Sequence, residues 1–225
     1  VEGKVFADTK KPTLQLAALP EFTGEKKIKI TATIYELSFY EVLIANQSAA
    51  KGNGTALSAE VPLEEGKNII IITITDKAGW VTEREISIIS DTKAPTIEFD
   101  FAKGKEYYQG KAETDISGTT EAGANVYLYV FRPLAGDFKP AFDKSWDKVT
   151  ADENGAFTFS GVNFESLHLN LKDLAPKEVP AGLQEEAIKG VEIAKNLQKF
   201  TYQVYLIAED VSGKAGYAKK QVTVN

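Results

Sequence analysis

Apolar and polar residues alternate along most of this chain. In KIKITATIYEL (27–37), Ile28, Ile30, Ala32 and Ile34 fall on one side and Lys, Thr and Tyr on the other. The same two-residue period runs through EREISII (83–89), ANVYLYVF (124–131), GAFTFSGV (155–162) and TYQVYLIAED (201–210). Period two written in Val, Ile, Tyr and Phe predicts half-buried antiparallel strands. NIIIITIT (68–75) is strand-length and dominated by β-branched residues. Turn chemistry punctuates these runs at KGNGT (51–55), EEGKN (64–68), EAGAN (121–125) and DENGA (152–156). Many short strands separated by such turns predict an all-β sandwich architecture.

One segment breaks the period. VPAGLQEEAIKGVEIAKNLQKF (179–200) places Leu183, Ala187, Val191, Ala194 and Gln198 on one helical face, with Ile188 and Leu197 beside it and charges opposite. Pro180 is tolerated near the start of such a helix. The helix is expected to cover one end or one edge of a sandwich. Its narrow, alanine-rich face suits docking within the chain, which predicts a monomer.

The chain also repeats itself. ADTKKPTLQL (7–16) returns as SDTKAPTIEF (90–99), with Asp8 and Asp91 83 residues apart. TITDKAGW (73–80) returns as IAEDVSGK (207–214), with Asp76 and Asp210 134 residues apart. Asp first and Gly fourth is what a type I turn selects, because the carboxylate caps turn amides and glycine accepts the exit geometry. A final strand follows each turn, at 83–89 and 220–224. These spacings predict two copies of one frame, 1–89 and 90–225, the second enlarged near 132–148 and 164–200. Pro12 and Pro95 hold each opening phrase extended. One serine separates Ile89 from the second opening phrase, which predicts a short, stiff junction and a rod-like pair.

ISGTTEAGANVYLYV (116–130), ADENGAFTFSGV (151–162) and YQVYLIAEDVSGKAG (202–216) resemble the bacterial immunoglobulin-like modules, Big and fibronectin-III-like, of exported cell-surface proteins. PLEEGKNIIIITITDKAG (62–79) is similar to the end of related modules. The family's usual Asn after the Asp-x-x-Gly turn is Trp80 in the first copy and Lys214 in the second. The resemblance implies two tandem immunoglobulin-like β-sandwiches, the second with a helix-containing insertion. It implies a non-catalytic structural or spacer role, extracellular or at the cell surface, in a larger prokaryotic protein. Surface-layer proteins, adhesive stalks and secreted hydrolases with accessory domains are the candidate parents, and the rest of that polypeptide is the implied partner. The alternative is binding of cell-surface or substrate polysaccharide by aromatics in or beside turns: Trp80, Tyr107, Tyr108, Trp146 and Tyr217.

Composition narrows the chemistry. Of the 225 residues, 43% are hydrophobic and 26% charged, a globular balance. A net charge of −6 disfavours nucleic acid, whose phosphates need a basic surface. No apolar run reaches the roughly 18 residues of a membrane span. With no Cys there is no disulfide or thiolate chemistry. Arg84 and Arg132 are the only arginines among 26 basic residues, and Lys/Glu richness without Cys or Met leans towards a heat-tolerant protein. The chain starts at Val1 rather than Met and reads as a piece of a longer, exported protein. His168, the only histidine, has no nucleophile elbow beside it, no carboxylate pair stands out, and no glycine-rich loop enters a helix. No enzyme and no cofactor are expected. Asp8, Asp76, Asp91, Asp100, Asp115 and Asp210 sit at turns and junctions, where hard oxygen ligands suit Ca²⁺. Asp8, Asp76, Asp91 and Asp210 are the Ca²⁺ candidates, with amide capping the preferred role for each, and no EF-hand run occurs.

Overall fold

The computed structural model describes residues 8–225 apart from 37, 39, 46, 54, 109, 133–138, 168–170 and 196–199. His168, Leu197 and Gln198 therefore lie outside the described residues. The chain divides into two compact units, Val1–Thr92 and Lys93–Asn225.

Eight strands build the first unit: β1 (Thr13–Leu16), β2 (Phe22–Thr23), β3 (Lys27–Tyr35), β4 (Tyr40–Ile44), β5 (Gln47–Gly52), β6 (Ala56–Pro62), β7 (Gly66–Asp76) and β8 (Val81–Ser90). They form a three-stranded sheet, β1-β3-β6, and a five-stranded sheet, β2-β8-β7-β4-β5. Every pairing is antiparallel except β2 with β8. The strand period explains the core between the sheets. Ile28, Ile30, Ala32 and Ile34 of β3 meet Ile70, Ile72 and Ile74 of β7, and all are buried.

The second unit contains β9 (Glu98–Phe101), β10 (Glu106–Tyr107), β11 (Glu113–Thr119), β12 (Asn125–Phe131), β13 (Asp147–Thr150), β14 (Ala156–Asn163), α1 (Leu183–Lys195), β15 (Phe200–Glu209) and β16 (Ala215–Val224). Its sheets run β9-β11-β14 and β10-β16-β15-β12-β13. Adding eight to each strand number of the first unit reproduces this order, including the lone parallel pair, β10 with β16. The frame is one strand order used twice. Strand β16 starts at Ala215, five residues before the expected 220, because Gly213 turns the chain straight back onto β15.

The units differ in two connections. Residues 45–46 join β4 to β5, and 63–65 join β6 to β7; the counterparts in the second unit are 132–146 and 164–199. The second connection carries α1, with Glu185 and Glu186 in its first turn and Lys195 in its last, signs that complement the helix dipole. Leu183, Ala187, Val191 and Ala194 are buried along one stripe. That stripe packs on neither an end nor an edge, as the sequence led us to expect, but on the outer face of the five-stranded sheet. Leu183, Ala187 and Val191 join Tyr127, Tyr129, Phe131, Tyr205 and Ile207 in a second core. Gly190 permits the close approach, since a Cβ there would stand 3.0 Å from the Tyr205 hydroxyl.

The second core corrects another expectation. Strands β12 and β15 were expected to be half-buried, yet nearly every residue in both is buried. One face belongs to the inter-sheet core, through Val126, Leu128, Val130, Val204, Leu206 and Ala208, and the other lies under the helix.

Candidate functional site

The β7–β8 hairpin is built by its Asp-x-x-Gly turn. Gly79 N–H donates to the Asp76 carbonyl at 3.2 Å and adopts φ +87°. Asp76 Oδ1 accepts the Trp80 amide at 2.8 Å, the expected cap. The β15–β16 hairpin repeats this: Gly213 has φ +86°, and Asp210 Oδ1 accepts Lys214 N at 3.0 Å and Ser212 Oγ at 2.7 Å. Capping occupies only half of each carboxylate. Asp76 and Asp210 are each 5% exposed, and Oδ2 of each is buried without a hydrogen-bond partner.

In the first unit Asp76 has company. One carboxylate oxygen each from Asp8, Glu36 and Asp76 lies within 4.8 Å of the other two. Asp8 is brought there by the opening phrase, which Trp80 Nε1 fastens by donating to the Asp8 carbonyl at 3.1 Å. Its Oδ1 also accepts Lys10 N at 3.1 Å. Glu36 directly follows β3, and its Oε1 accepts Ser38 N at 2.7 Å. The Ser38 hydroxyl is buried without a partner. Asp8, Glu36 and Ser38 line a cleft of about 1010 Å³ that also carries Lys10, Lys11 and Lys77.

Three carboxylates this close repel one another by about 1 kcal/mol per pair in water, and by several times that at a protein-like dielectric near 20. A Ca²⁺ ion binds oxygens at about 2.4 Å, so ligands on opposite sides of it stand roughly 4.8 Å apart. The spacing of Asp8, Glu36 and Asp76 suits that ion, with remaining positions filled by carbonyls or water. Glu36 gave no signal in the sequence, because an acidic residue after a strand is commonplace.

The Asp91 backbone N–H donates to the Thr23 carbonyl at 2.9 Å. Asp100 Oδ1 pairs with Lys220 at 3.1 Å and accepts Phe101 N at 3.0 Å, and these contacts, chiefly the one from Lys220, hold its carboxyl below the usual range. Asp115 Oδ1 accepts Gly161 N at 2.8 Å.

The turn aromatics are dispersed. Trp80 is 39% exposed and Tyr108 71% exposed. Tyr107 is buried in the inter-sheet core, its hydroxyl donating to the Gly104 carbonyl at 2.6 Å. Tyr217 lies in β16 at the edge of the second core and donates to Glu186. Trp146 is half-buried, with Nε1 donating to the Val130 carbonyl at 3.0 Å.

Buried ionisable groups in the second unit serve packing. Glu209, 3% exposed, accepts the Tyr127 hydroxyl at 2.9 Å and Lys177 N at 3.1 Å. Burial raises the Tyr127 and Tyr129 hydroxyls well above the ordinary tyrosine value and pushes Tyr205 up to about 12. Lys219 and Tyr217 both hold Glu186, whose carboxyl is lowered by those hydrogen bonds, chiefly the one from Lys219. That cluster ties the first turn of α1 to β16.

No protein-family model matches the chain, and no curated protein does. Among solved structures it is similar to the fibronectin(III)-like modules of Clostridium thermocellum CbhA, at 12% identity and TM-score 0.45, covering 94% of this chain and 93% of that one. It is similar to a tetra-tandem repeat in the extending region of a large adhesion protein, at 14% identity and TM-score 0.37, covering 96% of this chain and 49% of that one. A third likeness, at 12% identity and TM-score 0.38, is to a 1.5-MDa bacterial ice-binding adhesin, covering 97% of this chain and 66% of that one. The chain thus spans about half of the second structure and two thirds of the third. The strand order decides the fold: three strands face five, with a short edge strand parallel to the last strand. Both halves are immunoglobulin-like sandwiches. Among the described residues, no helix is long and apolar enough to cross a membrane.

Proposed function

We propose that this chain is a non-catalytic pair of structural modules in a larger secreted or cell-surface prokaryotic protein, and that its task is to carry load and spacing. The parallel pairing in each unit is the observation that carries this reading. In the first unit, Ile89 N donates to the Glu21 carbonyl and Asp91 N to the Thr23 carbonyl, both at 2.9 Å. In the second, Thr223 N donates to the Lys105 carbonyl and Asn225 N to the Tyr107 carbonyl, both at 2.8 Å. Strands β2 and β10 lie near the start of their units, and β8 and β16 close them. Pulling the ends of a unit apart drags such parallel strands past each other along their length. Their bonds are then loaded together rather than one after another. That geometry suits a spacer under tension.

Ca²⁺ at Asp8, Glu36 and Asp76 would reinforce the first unit by tying its opening phrase to the β7–β8 hairpin. An ion bound only by the folded state stabilises it by about 2.7 kcal/mol at one hundred times its Kd. Adding Ca²⁺ should raise the first unit's Tm by several degrees, and EGTA should reverse the rise. Asp76→Asn keeps an oxygen for the Trp80 amide while removing charge, and should abolish the response. An unchanged Tm would return Asp8 and Asp76 to capping alone.

Polysaccharide binding by the aromatics is the second reading, favoured by the exposure of Trp80 and Tyr108. Affinity electrophoresis through gels containing soluble polysaccharides separates the two. The structural reading expects no retardation. Retardation lost in Trp80→Ala or Tyr108→Ala would replace it.

A further inference from the structure

The two long connections of the second unit add more than a helix. Side chains from both converge on a cavity of about 610 Å³, within the range of sites that hold small organic ligands. Its walls are aromatic and aliphatic: Phe131, Trp146, Phe164 and Tyr202, with Leu167 and Leu171. Phe131 and Tyr202 belong to the shared strands β12 and β15, whereas Trp146, Phe164, Leu167 and Leu171 come from connections that the first unit cuts to two and three residues.

The charges lining the cavity point to one kind of occupant. In a chain of net charge −6, this cavity collects Arg132, Lys139 and Lys144 against Asp143. Lys144 is engaged by Asp173 at 2.7 Å. Arg132 lies 4.6 Å over the Phe200 ring and 5.9 Å from the Tyr202 ring centroid. Stacking uses the face of a guanidinium and leaves its N–H edge to bond an anion in the plane. Lys139 adds a second positive charge to the lining. The Trp146 N–H is already taken by the Val130 carbonyl, so that indole offers an occupant apolar surface rather than a donor.

We propose that this cavity binds a small organic anion: a flat aromatic or short aliphatic body between the aromatic walls, with one carboxylate or sulfonate at Arg132 and Lys139. The probe is 8-anilinonaphthalene-1-sulfonate, titrated into the full chain by fluorescence, with the uncharged N-phenyl-1-naphthylamine as its partner probe. One saturable site is expected for the sulfonate, several-fold tighter than for the neutral probe. Lys139→Glu should weaken the sulfonate by about tenfold, a change of 1.4 kcal/mol, and leave the neutral probe unaffected. Ala141→Trp fills the cavity from an exposed position; it should reduce both affinities by about tenfold or more at unchanged Tm. In a Trp80→Phe background, Trp146 emission should change with the same midpoint. Absent or non-saturable binding, equal affinity for both probes, indifference to Ala141→Trp, or neutral oligosaccharides occupying the site instead would each overturn the proposal.

Discussion

Ile71 on β7 and Tyr205 on β15 each lie five residues before the turn aspartate of their hairpin. Ile71 is 47% exposed, as part of a bare outer sheet face that also shows Ile69, whereas Tyr205 is wholly buried beneath α1. The same strand in the same sheet faces water in one unit and a second core in the other. An immunoglobulin-like frame closes on its inter-sheet core alone, so its outer face is free to be built upon. The second unit builds on it with a helix and rings, and burying a side chain such as Leu183 or Val191 contributes about 1.5–3 kcal/mol. A helix of this length is marginal alone and owes its stability to that face.

The sharpest way to break the comparison is to charge the helix stripe. Leu183→Asp or Val191→Asp should destabilise the second unit by about 2–5 kcal/mol and leave the first unchanged. Urea titrations can read the units separately, using Trp80 emission in a Trp146→Phe background and Trp146 emission in a Trp80→Phe background. Light scattering should show a monomer before and after; a dimer that these substitutions dissociate without unfolding would make the helix an assembly element.

A smaller loss, about 1–3 kcal/mol, is expected for Tyr127→Phe, which leaves buried Glu209 without its hydroxyl donor. Alkaline titration should separate the units next. A buried tyrosine whose folded value is raised contributes stability below its unfolded value near 10, and that contribution is lost as pH climbs through the folded value. With Tyr205 at about 12 and Tyr127 and Tyr129 also raised, urea midpoints should fall between pH 10 and 12, more steeply for the second unit. Acid should also loosen the docking of α1. Lowered Glu186 supports docking above its ordinary value of 4.5, and that support fades as pH falls below it, an effect Glu186→Gln should remove. Smallest of all, Ile71→Thr should change stability by under about 0.5 kcal/mol. A loss matching that of Tyr205→Thr would mean that the bare face is not bare.

Much of the frame was legible in the chain. The strand period marks β3, β7, β8, β12, β14 and β15, and the doubled Asp-Thr-Lys-x-Pro-Thr and Asp-x-x-Gly phrases reveal the repeat. Strands β2 and β10 are two residues long and exist only through their hydrogen bonds to β8 and β16, which no local pattern encodes. The double burial of β12 did leave a trace: VYLYVF alternates, but between two apolar sets, with no charge on either face. Tyr127 and Tyr129 pass for solvent-facing positions in such a run. For the candidate metal centre, repetition exposed Asp8 and Asp76, while Glu36 is a single residue that only the folded chain brings alongside them. The aromatic cavity was legible solely as Trp146, because its remaining walls come from strands and connections far apart in sequence.

Single-molecule pulling between the two ends of the chain tests the structural reading most directly. At about 3.3–3.6 Å of extended chain per residue, the account predicts two separate unfolding steps, releasing roughly 300 and 450 Å. Both should require force, and the shorter step should weaken in Ile89→Pro, which removes the N–H that β8 donates to Glu21. One cooperative step, or steps whose force is indifferent to that loss, would contradict it.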